Sequence, residues 1–119
     1  MELGSAPTWR LATADFVGIP PRLLEDAARL ERALGRALGG RPVTWLRHEF
    51  SPRGVSLAAV CARVRVVLHT WPEVGEATLD VWSSDDPSDI VEAALLRLSD
   101  EASSGCALVS TKASDDDAE

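Results

Sequence analysis

The chain has 119 residues, enough to bury one core and too few for a multidomain machine. Apolar residues make up 45% and charged residues 26%, an ordinary globular balance, and no apolar run approaches the length of a membrane span. Twelve bases against nineteen acids leave a net charge of −7, which argues against nucleic acid or a membrane surface as the partner.

The start, MELGSAPTWR, lacks a basic region followed by a long apolar one, so no secretory leader is read and the cytoplasm is the expected compartment. Residues 1–7 are expected to be flexible. Thr8 to Val17 alternates in part and predicts a strand. Gly18-Ile19-Pro20-Pro21 breaks it, and Pro21 to Leu38 predicts a helix. Its apolar face is Leu23, Ala27, Leu30, Leu34 and Ala37, at spacings of three and four. Gly39-Gly40 ends it.

Val43 to Phe50 predicts a second strand, and Ser51-Pro52-Arg53-Gly54 a turn. The β-rich run Val55 to Leu68 follows, then a turn over Pro72 to Gly75 and an alternating strand from Glu76 to Trp82. Asp86 before Pro87 is a helix start, with the helix running to about Leu98. Cys106 to Ser110 is the last strand. Residues 112–119, KASDDDAE, read as an acidic disordered tail, leaving 8–111 as the domain.

Short turns between strands imply a mainly antiparallel sheet. Two amphipathic helices can cover only one of its faces. The expected fold is therefore α+β, a two-layer α/β sandwich. Trp45, Trp71 and Trp82 lie in or beside strands, so the second face is expected to be apolar and to meet another sheet in a dimer.

The chemistry-bearing residues concentrate in His48 to Ser56 and His69 to Glu73. Taken alone, His69 and Glu73 fit a structural histidine and an exposed turn glutamate as readily as the rim of one pocket. Two histidines so far apart in sequence, with scattered acids, make no metal-ligand pattern. Cys61 and Cys106 lack a CxxC spacing, so neither a disulfide framework nor a zinc site is expected.

HEFSPRGVS followed by LHTWPEVGEATLDVW resembles the small prokaryotic S-adenosylmethionine decarboxylases of polyamine (spermidine) biosynthesis, over roughly Leu11 to Val109. The resemblance implies a two-layer protomer whose sheet packs against that of a partner. It also implies self-cleavage at a Glu-Ser bond, which turns the serine into a pyruvoyl group. That ketone forms an imine with the substrate amine and withdraws electrons as carbon dioxide leaves.

The sequence departs from the family pattern at that bond. Where the family has Glu-Ser-His, this chain reads Arg63-Val64-Arg65. Val64 has no hydroxyl, so it can neither attack a carbonyl nor become a ketone. The family's catalytic cysteine falls on Ser84, a far weaker acid. No pyruvoyl cofactor and no catalytic residue of the family route are therefore expected. Other positions match: Phe50 an aromatic that stacks on adenine, Glu73 an acid that accepts from the ribose hydroxyls, and Ser56 and His69 residues that assist self-cleavage. For Phe50 a core aromatic, and for Ser56 a hydroxyl bonded to backbone, remain open.

Arg63 and Arg65 would repel a sulfonium and suit a carboxylate or phosphate, if they face the pocket rather than solvent. Strand alternation puts both on the side opposite Val64 and shared with His69, so a site joining position 64 to His69 would need a bulge. The expected role is non-decarboxylating binding of S-adenosylmethionine or a related small metabolite, as a homodimer or as a heterodimer with a family paralogue. The alternatives are an inactive regulatory subunit of an active decarboxylase, and an enzyme recruited to pyruvoyl-independent chemistry.

Overall fold

The computed structural model describes residues 9–103 and 105–115. The strands are β1 (Arg10–Val17), β2 (Thr44–Glu49), β3 (Val55–Cys61), β4 (Val64–Trp71), β5 (Glu76–Ser83) and β6 (Ala107–Asp115). The helices are α1 (Pro21–Leu24), α2 (Ala27–Ala37) and α3 (Pro87–Ala102). The strands form one antiparallel sheet in the order β2-β3-β4-β5-β1-β6.

Alternation decides which face each strand buries. Val64, Val66 and Leu68 of β4, Ala77, Leu79 and Val81 of β5, Ala12, Ala14 and Phe16 of β1, and Val55, Leu57 and Ala59 of β3 are all buried. They meet Leu30 and Leu34 of α2 and Val91, Ala94 and Leu98 of α3 in one core. The helices lie on that face only, so the α+β sandwich and the antiparallel sheet stand as read from the sequence.

Several elements differ from the expectation. The helix expected over Pro21–Leu38 is two helices, because Asp26 has an extended backbone and its carboxylate accepts from Arg29 N–H at 3.1 Å. A side chain that caps a new helix competes with continuing the old one. The run Val55–Leu68 is a hairpin: Cys61 pairs Val64 across a turn of Ala62 and Arg63. Arg63 there has φ 66°, a conformation normally left to glycine or asparagine, so no ordinary turn residue marked the break.

The last strand runs on to Asp115, paired along β1 from Val17 to Arg10. Lys112 to Asp115 are therefore strand, not tail, while residues 116–119 and the expected flexible stretch 1–7 lie outside the described residues. Trp45 sits opposite Ala59 on the helix-side face, with Trp71 and Trp82 on the other. That open face also carries the exposed Leu46 and Val60. No described helix is long and apolar enough to cross a membrane.

Candidate active site

Antiparallel register places Ser56 of β3 directly opposite His69 of β4, both on the open face of the sheet. The Ser56 Oγ and His69 Nδ1 lie 2.7 Å apart, a short hydrogen bond between hydroxyl and imidazole. Beyond β4, Pro72–Val74 forms one 3-10 turn that carries Glu73 and ends at Gly75 with φ 68°. Phe50 follows β2; its N–H donates to the Gly54 carbonyl at 2.8 Å and closes the Ser51–Gly54 turn.

These pieces surround a cleft of about 290 Å³ lined by Phe50, Arg53, Ser56, His69, Trp71 and Glu73, with Thr70 beneath. Four residues singled out in the sequence, Phe50, Ser56, His69 and Glu73, thus come together. The Phe50 ring is 49% exposed, so it is not a core aromatic, and it meets His48 edge-on at 4.3 Å. Glu73 is exposed at the rim.

Arg53, Thr70 and Trp71 line the same cleft without having been read as site residues. Trp71 was legible by parity, two residues after His69 on the same face. Arg53 bonds Glu25 at 2.7 Å, a pair exposed on both sides and hence weak. Thr70 supports the cleft from the core side. Its hydroxyl accepts from Val55 N–H and donates to the Leu24 carbonyl, both at 2.8 Å.

Arg63, Val64, Arg65 and Ser84 are elsewhere. Val64 and His69 stand five residues apart on one strand, roughly 17 Å at ordinary strand rise. The register of β4 with β3 and β5 is continuous, so the bulge that would reconcile them does not form. Val64 is 2% exposed and faces the helices, while His69 faces outward. Arg63 is a turn residue rather than a strand neighbour of Arg65. Its carbonyl accepts from Ser84 N–H at 3.1 Å, and its Nε donates to Ser84 Oγ at 2.8 Å. Arg65 lies over the Trp9 ring, 5.0 Å from its centroid, a cation–π distance. Neither arginine lines the Phe50–Glu73 cleft.

Residues 10–104 match the S-adenosylmethionine decarboxylase family. The chain belongs to that family. It is 34% identical over 80 residues to the S-adenosylmethionine decarboxylase proenzyme of Methanococcus vannielii, a match covering 62% of this chain and 66% of the relative. It is also 34% identical over 83 residues to the proenzyme of Carboxydothermus hydrogenoformans, covering 67% and 65%. The matched region thus spans just under two thirds of those relatives' length. The fold is that of the adenosylmethionine decarboxylase from Aquifex aeolicus, with a TM-score of 0.68 over 92% of this chain and 91% of that one, at 21% identity.

Val64, where the resemblance sets the self-cleavage serine, carries an isopropyl group packed into the core. Val64 has no hydroxyl to attack the preceding carbonyl and then leave by elimination, so the residue there does not fit conversion to a pyruvoyl group. Among the described residues no three His, Cys, Asp or Glu side chains gather into a metal-binding group.

Proposed function

We propose that this family member does not self-process, and instead holds an adenosyl compound or a closely related metabolite in the cleft of Phe50, Ser56, His69 and Glu73. The observation that carries the reading is the contrast between the two ends of β4. At one end a cleft of suitable shape and chemistry stands formed. At the other, buried Val64 lacks the hydroxyl that self-cleavage consumes.

In the cleft, the exposed Phe50 ring offers a face for a purine, and the Glu73 carboxylate accepts from vicinal hydroxyls. The Ser56–His69 pair supplies further polar contacts. A decarboxylation through a pyruvoyl imine has no electrophile here, so the proposed role is occupancy rather than turnover.

The roughly 17 Å between the Arg63–Ser84 end and the His69 end supports assembly through the open sheet face. Two chains packed face to face in opposite senses would bring one chain's Arg63 and Ser84 towards the other's cleft. The exposed Leu46, Val60 and Trp71 on that face favour such packing. The partner is a second copy, or, as the second reading, an active decarboxylase paralogue that this chain regulates in spermidine biosynthesis.

Intact mass of the purified protein tests the first part: one species of the full 12.8 kDa chain is expected, and two fragments with a keto-acyl terminus would overturn it. Calorimetric titration with S-adenosylmethionine, its decarboxylated form and adenosine tests the second. Binding of at least one is expected, weakened about tenfold by Glu73→Gln. No heat from any of the three would reject the cleft as a binding site. Co-purification with an active decarboxylase paralogue separates the two assembly readings.

A further inference from the structure

A second concave site lies on the helix side of the sheet, away from the Phe50–Glu73 cleft. It is an open cleft of about 700 Å³ between α2, the start of β2 and α3, within the size range of small-molecule sites. Arg32, Gly35, Arg36 and Gly39 recur at helical spacing on one side of it. Arg41, Val43 and Trp45 enter from the other side and Arg97 from α3. The acidic chain thus places four of its arginines around one cavity.

The carboxylates nearby are already engaged. Glu31, itself part of the cleft lining, bonds Arg47 at 3.0 Å, Glu101 bonds Arg32 at 2.9 Å and Arg29 at 3.1 Å, and Asp100 lies 3.5 Å from Arg97. Among the described residues, Arg36 and Arg41 have no ion-pair or side-chain hydrogen-bond partner. Both are exposed and keep whole guanidinium forks free. Helix α2 has no side chain at Gly35, where a Cβ would lie 3.8 Å from the Trp45 ring, so the ring borders the cavity directly.

We propose that this cleft binds a small molecule bearing a di- or triphosphate, with Arg36 and Arg41 as its principal ligands and Arg32 and Arg97 flanking them. Guanidinium forks match phosphate oxygens two at a time. The positive groups converge on one cavity instead of following a strip. That geometry fits charge concentrated in a polyphosphate better than carboxylates spaced along an acidic peptide. Val43 and Trp45 give an apolar wall for any ring the phosphates carry.

The test is calorimetric titration of the purified protein with tripolyphosphate, alongside ATP, adenosine and a short poly-aspartate peptide. Tripolyphosphate and ATP are expected to bind, with affinity falling as salt rises. The double variant Arg36→Ala/Arg41→Ala should lose about tenfold or more for tripolyphosphate. Arg22→Ala, an equally exposed arginine outside this cavity, should change nothing. Glu73→Gln should leave tripolyphosphate binding intact, which separates this site from the adenosyl cleft. No tripolyphosphate binding at millimolar concentration overturns the proposal. So does an equal loss in Arg22→Ala, which would mean diffuse attraction, or tighter binding of the peptide than of tripolyphosphate.

Discussion

Thr70→Val is the sharpest probe of how the fold supports the cleft. Thr70 is 7% exposed and joins three elements: its hydroxyl accepts from Val55 N–H at the start of β3 and donates to the Leu24 carbonyl ending α1. Valine fills the same volume without the hydroxyl, leaving a buried N–H and a buried carbonyl unpaired. Each lost bond costs about 1 kcal/mol net, and an orphaned buried group costs about 1–3 kcal/mol. The expected destabilisation is about 2–4 kcal/mol.

A domain of this length unfolds with an entropy near 2.1 cal/mol/K per residue. One kcal/mol then shifts Tm by about 4 °C, so Thr70→Val should lower it by roughly 8–16 °C. Thr70→Ser keeps the hydroxyl and loses one methyl, costing about 1 kcal/mol. Urea denaturation of the three proteins reads both free-energy costs, and thermal melts read the Tm shift. Wild-type stability in Thr70→Val, or equal damage from Thr70→Ser, would refute the hydrogen-bond account.

Three further outcomes follow from the packing and charge. Hydrogen bonds first from Arg32 and then from Arg29 hold the Glu101 carboxyl below the usual carboxylate range. Its stabilisation is therefore full above the ordinary carboxylate pKa and lost as pH falls through the depressed folded-state value. Glu101→Gln should lower the denaturation midpoint at neutral pH, with the gap closing on acidification through that range; a gap independent of pH would count against the pairing. Gly75→Ala places a Cβ 3.2 Å from the Ile19 carbonyl oxygen at φ 68° and should cost about 1–2 kcal/mol in urea. Leu68→Ala removes a fully buried side chain and should cost about 2–5 kcal/mol, measured the same way.

Alternation and helical spacing, both local, were enough to read the two-layer architecture. Ala77, Leu79 and Val81 declare the buried face of β5 in the sequence itself, and Asp86-Pro87 declares the start of α3. The Ala62-Arg63 turn was not legible, since neither residue is a usual turn former and the apolar pattern runs through it. The break at Asp26 was equally hidden: a carboxylate on a helix's polar face and one that caps a new helix look alike in a string of letters.

For the site, the sequence by itself determined the missing hydroxyl at position 64, a matter of residue identity that no fold can alter. It also supplied the resemblance that grouped Phe50, Ser56, His69 and Glu73. Only the tertiary structure decided that these four meet in one cleft, because cross-strand register sets Ser56 against His69. It alone placed Arg63 on Ser84 at the far end of β4, turned Val64 towards the helices, and gathered Arg32, Arg36, Arg41 and Arg97 from three segments. Local patterning records which way a residue faces on its own element. Where that element ends, and what stands across from it, is settled by pairing between distant parts of the chain.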